Sequence, residues 1–210
     1  EHVRGLYAAT VEYASHWAGK ILEKLKKLDL YESTLIVLLS DHGAPLGEHG
    51  YMRKSGGDLY SELLDIPVFV KPPADMCESQ GFVDTVEGLV RLDDLPATLL
   101  EMVGLERGLT TVHGRSLLPL MRGDRESVRD TVVTGYHDGP VRCVRDERWS
   151  FIYRPEAENE LYHLESDPRE QTNLIEQESK RANALAAKLE RPFRVEQSPP
   201  GLNQRASDRE

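Results

Sequence analysis

The sequence predicts an α/β fold with a small antiparallel β unit at its carboxyl end, and three observations carry that expectation. Apolar residues recur every three or four positions over residues 3–28, the period of an amphipathic helix. Five apolar residues then run together, Leu35-Ile36-Val37-Leu38-Leu39, and stop at Ser40-Asp41-His42-Gly43. Such a run fits a strand covered on both faces, as in a parallel sheet flanked by helices. Further on, four short β-like runs follow one another closely between residues 131 and 164. The chain divides accordingly into an α/β portion at 1–124, a small antiparallel sheet with a packed helix at 125–194, and a polar tail at 195–210 that is expected to be disordered.

Taken in order, the first helix is drawn by Leu6, Thr10, Tyr13, Trp17, Ile21, Leu25 and Leu28, which predict one buried stripe. Lys20, Lys24, Lys26 and Lys27 gather toward its end, where cations favour the helix dipole. After the 35–39 strand and a stretch ending at Lys54, residues 59–64 predict a short helix. Residues 66–70 predict a second apolar strand, with Pro67 near its start, where a missing donor is tolerated. Lys71-Pro72-Pro73 ends it, and a loop containing Cys77 and a short strand at 83–86 follow. Asp93 and Asp94 read as caps of a helix over 95–103, with Pro96 in its first turn and Gly104 at its end. The runs 131–136, 141–145, 150–153 and 161–164, separated by turns at Asp138-Gly139-Pro140 and Asp146-Glu147-Arg148, predict an antiparallel meander. A last helix is expected over 176–190, with Leu185 and Leu189 on one face.

Composition narrows the function. At 39% hydrophobic and 30% charged residues the chain reads as soluble and globular. A net charge of −10 argues against nucleic acid as a partner, because a phosphate backbone needs a basic face. No apolar run approaches membrane-spanning length, so no membrane partner is expected. Cys77 and Cys143 are too few for a disulfide framework; they form one bridge or two free thiols, with free thiols preferred. The chain opens at Glu1 directly in a helix pattern, with no signal-peptide character, which suggests part of a longer polypeptide.

The chemistry concentrates where the first strand stops. In open α/β sheets, ligands bind just outside the carboxyl ends of the strands, which places Asp41 and His42 at a candidate site. Gly43 lets the backbone leave the strand along a path closed to other residues. A carboxylate beside an imidazole suits Ca²⁺, Mg²⁺, Mn²⁺ or Zn²⁺. A strand-end aspartate also serves as a helix cap or loop anchor, and on the residues alone both readings stand.

The wider string carries a resemblance. Ser40-Asp41-His42-Gly43, Leu46-Gly47-Glu48-His49-Gly50, Lys54 and the run from Leu59-Tyr60-Ser61-Glu62 through Ile66-Pro67-Val68-Phe69-Val70 together resemble the central segment of the sulfatase family, within the alkaline-phosphatase-like superfamily. Tyr7-x-Ala9-x-Val11, Gly19-Lys20-Ile21-Leu22, Gly114-Arg115-Ser116-Leu117-Leu118-Pro119-Leu120 and the closing Glu160-Leu161-Tyr162-His163-Leu164 with Asp167-Pro168, Glu170 and Asn173-Leu174 extend it over roughly residues 5–190. Two positions depart from the usual pattern: Ser15 and His163 each stand where the family commonly has Asp.

The resemblance implies the carboxyl-terminal part of an alkaline-phosphatase-like α/β/α sandwich. It implies Asp41 and His42 as two ligands of a divalent cation, usually Ca²⁺ with Mg²⁺ or Mn²⁺ as alternatives, and Lys54 as a sulfate contact. His49 lies in the same string, either lining the pocket or bonding backbone, and His137 sits in a turn of the small unit that in some members reaches over the substrate. The implied substrate is a sulfated small molecule or glycan. The family's nucleophile is formylglycine made from Cys or Ser in Cys/Ser-x-Pro/Ala-x-Arg, and no such motif occurs here. Cys77 precedes Glu-Ser-Gln-Gly, Cys143 precedes Val-Arg-Asp-Glu, and Ser166-Asp167-Pro168-Arg169 brings its Arg one position early. The expectation is therefore a carboxyl-terminal part that is inactive alone and needs a missing amino-terminal half or an oligomer partner to complete its fold. The alternatives are a phosphonate or phosphate-ester hydrolase of the same superfamily and a stand-alone, non-catalytic binding module.

Overall fold

The structure is a computed structural model, and it describes residues 1–52, 54, 57–105, 114–136 and 139–189. His137, Arg53 and the 195–210 tail lie outside the described residues.

The first helix, α1 (His2–Lys27), follows the predicted span and carries Lys24, Lys26 and Lys27 in its last turn. Its burial does not follow the prediction. Leu6, Tyr13, Trp17, Ile21 and Leu28 are all more than half exposed, and only Ala18, Gly19, Leu22 and Leu25 are half-buried. The stripe is apolar because the periodicity is real, but no layer of the described chain lies opposite it. Near its start, Arg4 donates to the Leu46 carbonyl at 3.2 Å and to Glu48 Oε1 at 2.8 Å.

Strand β1 (Ile36–Leu39) pairs with β2 (Val68–Lys71) in register Val37↔Val70. The pairing is antiparallel and, among the described residues, the sheet has two strands, which corrects the expectation of a parallel sheet covered on both faces. Leu38, Leu39 and Phe69 are exposed, so the apolar character that marks these strands is only partly used within the chain. Between the strands lies the short helix α2 (Ser61–Leu64), as expected. Cys77 sits in a helix, α3 (Ala74–Gln80), not a loop, and the predicted strand at 83–86 forms no ladder among the described residues. It is tied to the chain through Val83 N–H, which donates to the Met121 carbonyl at 2.8 Å. No helix among the described residues is long and apolar enough to cross a membrane.

Helix α4 (Asp94–Met102) is where the capping argument meets its limit. Asp93 occupies the cap position but makes no side-chain cap bond; its carboxylate pairs with Arg91. Asp94, fully buried, is a hub. It holds the guanidinium of Arg129 with both oxygens and accepts the N–H groups of Arg91 and Arg115, each at 2.7 Å. Thr98, one turn on, passes a hydroxyl to the Asp94 carbonyl at 2.7 Å and accepts the Leu117 N–H at 2.8 Å. These bonds clamp the Gly114-to-Leu120 string, which continues as α5 (Leu118–Met121), against α4. Gly114 approaches so closely that a Cβ there would lie 1.7 Å from the Asp93 carbonyl oxygen.

Four strands, β3 (Val132–Gly135), β4 (Arg142–Arg145), β5 (Trp149–Tyr153) and β6 (Glu160–His163), form the antiparallel meander in sequence order. Period-two alternation sends Cys143, Ile152 and Tyr162 to one face, where they meet Leu59, Tyr60 and Leu63 around α2. Val144, Phe151 and Leu161 face the other way, onto Ala182 and Leu185 of the last helix, α6 (Ser179–Ala186), which is shorter than its pattern suggested. Both cysteines are free thiols. Cys77 is exposed, while Cys143 is buried beside Ser150, with burial pushing its thiol up.

Removing the Asp94 carboxylate strands the buried Arg129 guanidinium. Asp94→Ala is expected to cost about 3–5 kcal/mol, seen as a lower urea midpoint at constant slope. Burial alone would raise the Asp94 carboxyl, but the Arg129 guanidinium and the N–H groups of Arg115 and Arg91 outweigh it and hold the carboxyl below its usual range. Its contribution is therefore complete above the unfolded value of about 3.9 and is lost as pH falls through the lower folded value. Acid titration of stability in the wild type and in Asp94→Asn should show this loss only in the wild type.

Candidate functional site

Beyond β1 the chain turns under tight constraint. The Ser40 N–H reaches the Pro67 carbonyl at 3.3 Å, and its hydroxyl donates to the His42 carbonyl at 2.6 Å. The Gly43 N–H donates to the Leu63 carbonyl at 2.8 Å, which presses residue 43 against the end of α2. A Cβ at this position would stand 2.0 Å from the Glu62 carbonyl oxygen, so glycine is required by close approach.

This turn leaves Asp41 and His42 projecting together. The Asp41 side chain is 85% exposed; its Oδ1 accepts the His42 N–H at 2.9 Å, and its Oδ2 lies 3.7 Å from His42 Nε2. His42 Nδ1 is 2.7 Å from the Gly43 carbonyl. A carbonyl only accepts, so Nδ1 carries a proton; in the neutral imidazole Nε2 is then the nitrogen with the lone pair, the arrangement of a metal-ligating imidazole braced by a backbone acceptor. The 3.7 Å spacing is one that two ligands of a single ion span when each bond is about 2.3–2.6 Å. The donor set thus fits a divalent cation, and it supplies two ligands: among the described residues no group of three or more His, Cys, Asp or Glu converges on one point.

Lys54 joins them. Asp41, His42 and Lys54 line one open cleft of about 700 Å³, with Tyr136 and Arg145 contributed by the meander. The Lys54 ammonium stands 5.5 Å from the centroid of the Tyr136 ring. Arg145 is engaged elsewhere: it pairs with Asp65 at 3.0 Å and with the buried Glu170 at 3.0 Å.

His49 is placed apart from this cleft. Its ring stacks on Tyr60 at 3.6 Å with planes 5° apart, and its Nε2 faces the Arg169 carbonyl at 3.1 Å. It joins a bonded group in which the Tyr60 and Tyr162 hydroxyls both donate to Glu160 Oε2, at 2.8 and 2.9 Å, while Arg154 Nε holds Oε1. Burial and the Glu160 carboxylate push both phenols up. His137 lies outside the described residues.

Tyr136 and Glu170 carried no role in the sequence reading. Tyr136 closes the first β-like run, where nothing in one sequence marks which side chain meets a lysine eighty residues earlier. Glu170 stood in the closing string, but its partners, the Ser61 N–H at 2.7 Å and Arg145, are distant in sequence.

Comparison with known proteins gives a consistent picture. A family model described as Sulfatase matches residues 1–105. The choline-sulfatase of Rhizobium meliloti (strain 1021) is 28% identical over 177 residues, covering 82% of this chain and 33% of that protein. The arylsulfatase of Clostridium perfringens is 26% identical over 183 residues, covering 85% and 37%. A structure solved in complex with its substrate D-glucosamine-2-N,6-O-disulfate superposes with a TM-score of 0.69 at 25% identity, covering 82% of this chain and 36% of that one. The phosphonate monoester hydrolase of Agrobacterium radiobacter shares the fold, with a TM-score of 0.65 at 24% identity, 81% of this chain and 37% of that one. The chain spans about a third of the length of the relatives it matches.

The geometry around residue 43 is directly testable. Gly43→Ala forces its Cβ into the Glu62 carbonyl, so it should cost at least about 1–3 kcal/mol by chemical denaturation. It should also shift the His42 imidazole NMR signals as the Nδ1 bond to residue 43 is displaced.

Proposed function

The chain belongs to the sulfatase family, and from that membership we propose that it forms the carboxyl-terminal part of a hydrolase of sulfate monoesters, with Asp41, His42 and Lys54 in the active site. The observation that carries the reading is their convergence on one cleft, with His42 held in the ligating tautomer.

In this reading Asp41 Oδ2 and His42 Nε2 hold a divalent cation, Ca²⁺ by family resemblance and Mg²⁺ or Mn²⁺ as alternatives. When bound, the cation supplies Lewis-acid neutralisation of sulfate oxygens. Lys54 contributes an ammonium to a sulfate oxygen as charge builds on the leaving oxygen, a stabilisation made only in part in the ground state. Asp41 also anchors the turn through the His42 N–H, so that one carboxylate both positions its neighbour and offers a ligand oxygen. The nucleophile, formylglycine by resemblance, and the remaining ligands are assigned to polypeptide outside these 210 residues, which contain no Cys/Ser-x-Pro/Ala-x-Arg motif.

The substrate class follows the relatives' names, which include a choline-sulfatase and an N-acetylglucosamine-6-O-sulfatase. We take it to be a sulfated small molecule or glycan. The exposed faces of α1 and of the β1–β2 pair support the view that a further segment or subunit completes this half of the fold.

The test is kinetic. The isolated 210-residue chain should show no turnover of an aryl sulfate, and turnover above background by that chain would overturn the assignment of the nucleophile. In a longer parent protein, Lys54→Ala should lower kcat/KM on the same substrate roughly 10²–10³-fold. Asp41→Ala should weaken Ca²⁺ binding measured by calorimetry. A parent that prefers an aryl phosphonate over an aryl sulfate would move the assignment to phosphonate esters.

A further inference from the structure

Lys54 is an exposed side chain whose charge sits at the end of a flexible four-carbon stem. The structure places a ring beside it. Tyr136 directly follows β3, an edge strand of the meander, and its ring centroid lies 5.5 Å from Lys54 Nζ, with both residues lining the cleft that holds Asp41 and His42. That distance is within the range at which an ammonium is drawn to an aromatic face.

The backbone that carries Tyr136 is itself braced. The Arg142 side chain lies across Gly135, where a Cβ would stand 2.5 Å from Arg142 Cδ. Its Nη1 reaches the carbonyls of Tyr136 at 3.3 Å, Gly139 at 2.5 Å and Val141 at 2.8 Å. The guanidinium thus straps the residue after β3 to the start of β4, bracing the backbone that carries the ring.

We infer that Tyr136 is a positioning residue: its ring face holds the Lys54 ammonium in the cleft, at the place where an anionic ester must meet it. The inference rests on Lys54 as the sulfate contact proposed above. It differs from a direct role for the phenol, because the ring face, and not the hydroxyl, does the work. An ammonium confined before substrate arrives loses less freedom on binding, so the effect falls mainly on substrate affinity.

The experiment uses the full-length parent with an aryl sulfate. Tyr136→Leu should raise KM about 3- to 30-fold with kcat near the parental value, the range expected for loss of an ammonium–ring contact. Tyr136→Phe should restore parental kinetics, and in a Lys54→Ala background Tyr136→Leu should add nothing. In parallel, ¹³C-dimethyl-lysine NMR should show an upfield ring-current shift on one lysine signal, assigned by its absence in Lys54→Ala, which survives in Tyr136→Phe and vanishes in Tyr136→Leu. A Lys54 signal unmoved by Tyr136→Leu, a Phe variant as impaired as Leu, or an undiminished Leu effect without Lys54 overturns this inference alone. Parental kinetics in Lys54→Ala overturn both this inference and the sulfate role of Lys54.

Discussion

Much of the structure hangs on one buried carboxylate. Glu170 adopts a left-handed backbone, φ 52°, which turns its fully buried side chain between two layers. There it accepts the Arg145 guanidinium of β4 and the Ser61 N–H that opens α2. The meander, the closing segment and α2 are thereby tied at one point. A buried pair of this kind is not a large source of net stability, because desolvation consumes most of the Coulombic gain. Its effect is on geometry: α2 cannot shift without leaving a buried charge unpaired. From α2 the constraint passes onward, since the Leu63 carbonyl fixes Gly43 and Gly43 sets the turn that presents Asp41 and His42. The candidate site is therefore positioned from the far end of the chain, more than a hundred residues away.

How much of this was legible depends on the range of the interaction. The α1 span, α2, α4 and all four meander strands follow from local periodicity and turn residues, which one sequence displays. A string of neighbouring residues singles out Asp41, His42 and Lys54, and the structure brings all three to one cleft, while their roles are those proposed above. What local pattern could not show is pairing between distant segments. The continuous apolar run at 35–39 reads as a strand buried on both faces, yet it does not say whether its neighbour runs parallel, and here the neighbour is antiparallel. Asp94 shows the same limit. Its position before a helix predicts capping, whereas its chemistry is decided by Arg129, thirty-five residues on and invisible to any local rule. The stretch around Cys77 forms α3, only seven residues between Pro73 and Gly81, a length at which local pattern leaves helix and loop nearly balanced and the tertiary setting decides.

Electrostatically, the cleft is mixed: Lys54, Arg91 and Arg145 line it together with Asp41, Asp65 and Asp93. The chain carries a net charge of −10, while in this cleft the exposed cation Lys54 shares the lining with an Asp–His pair whose donors suit a divalent cation. Arg145 adds little field there, since Asp65 and Glu170 neutralise it. Under the proposed function, attraction for an anionic ester would be short-ranged and local, falling away within about a Debye length of the site.

The uncovered stripe on α1 has a colloidal consequence. Over 26 residues at about 1.5 Å each it makes a ridge about 39 Å long, carrying Leu6, Tyr13, Trp17 and Ile21 toward water. Two forces act between copies of such a chain: the ridges cohere, while the like charges repel. Added salt shortens the reach of the repulsion to about 8 Å at 0.15 M and leaves the cohesion untouched or strengthened. Raising the ionic strength is therefore expected to favour association of copies through this ridge, and low-salt buffer to oppose it.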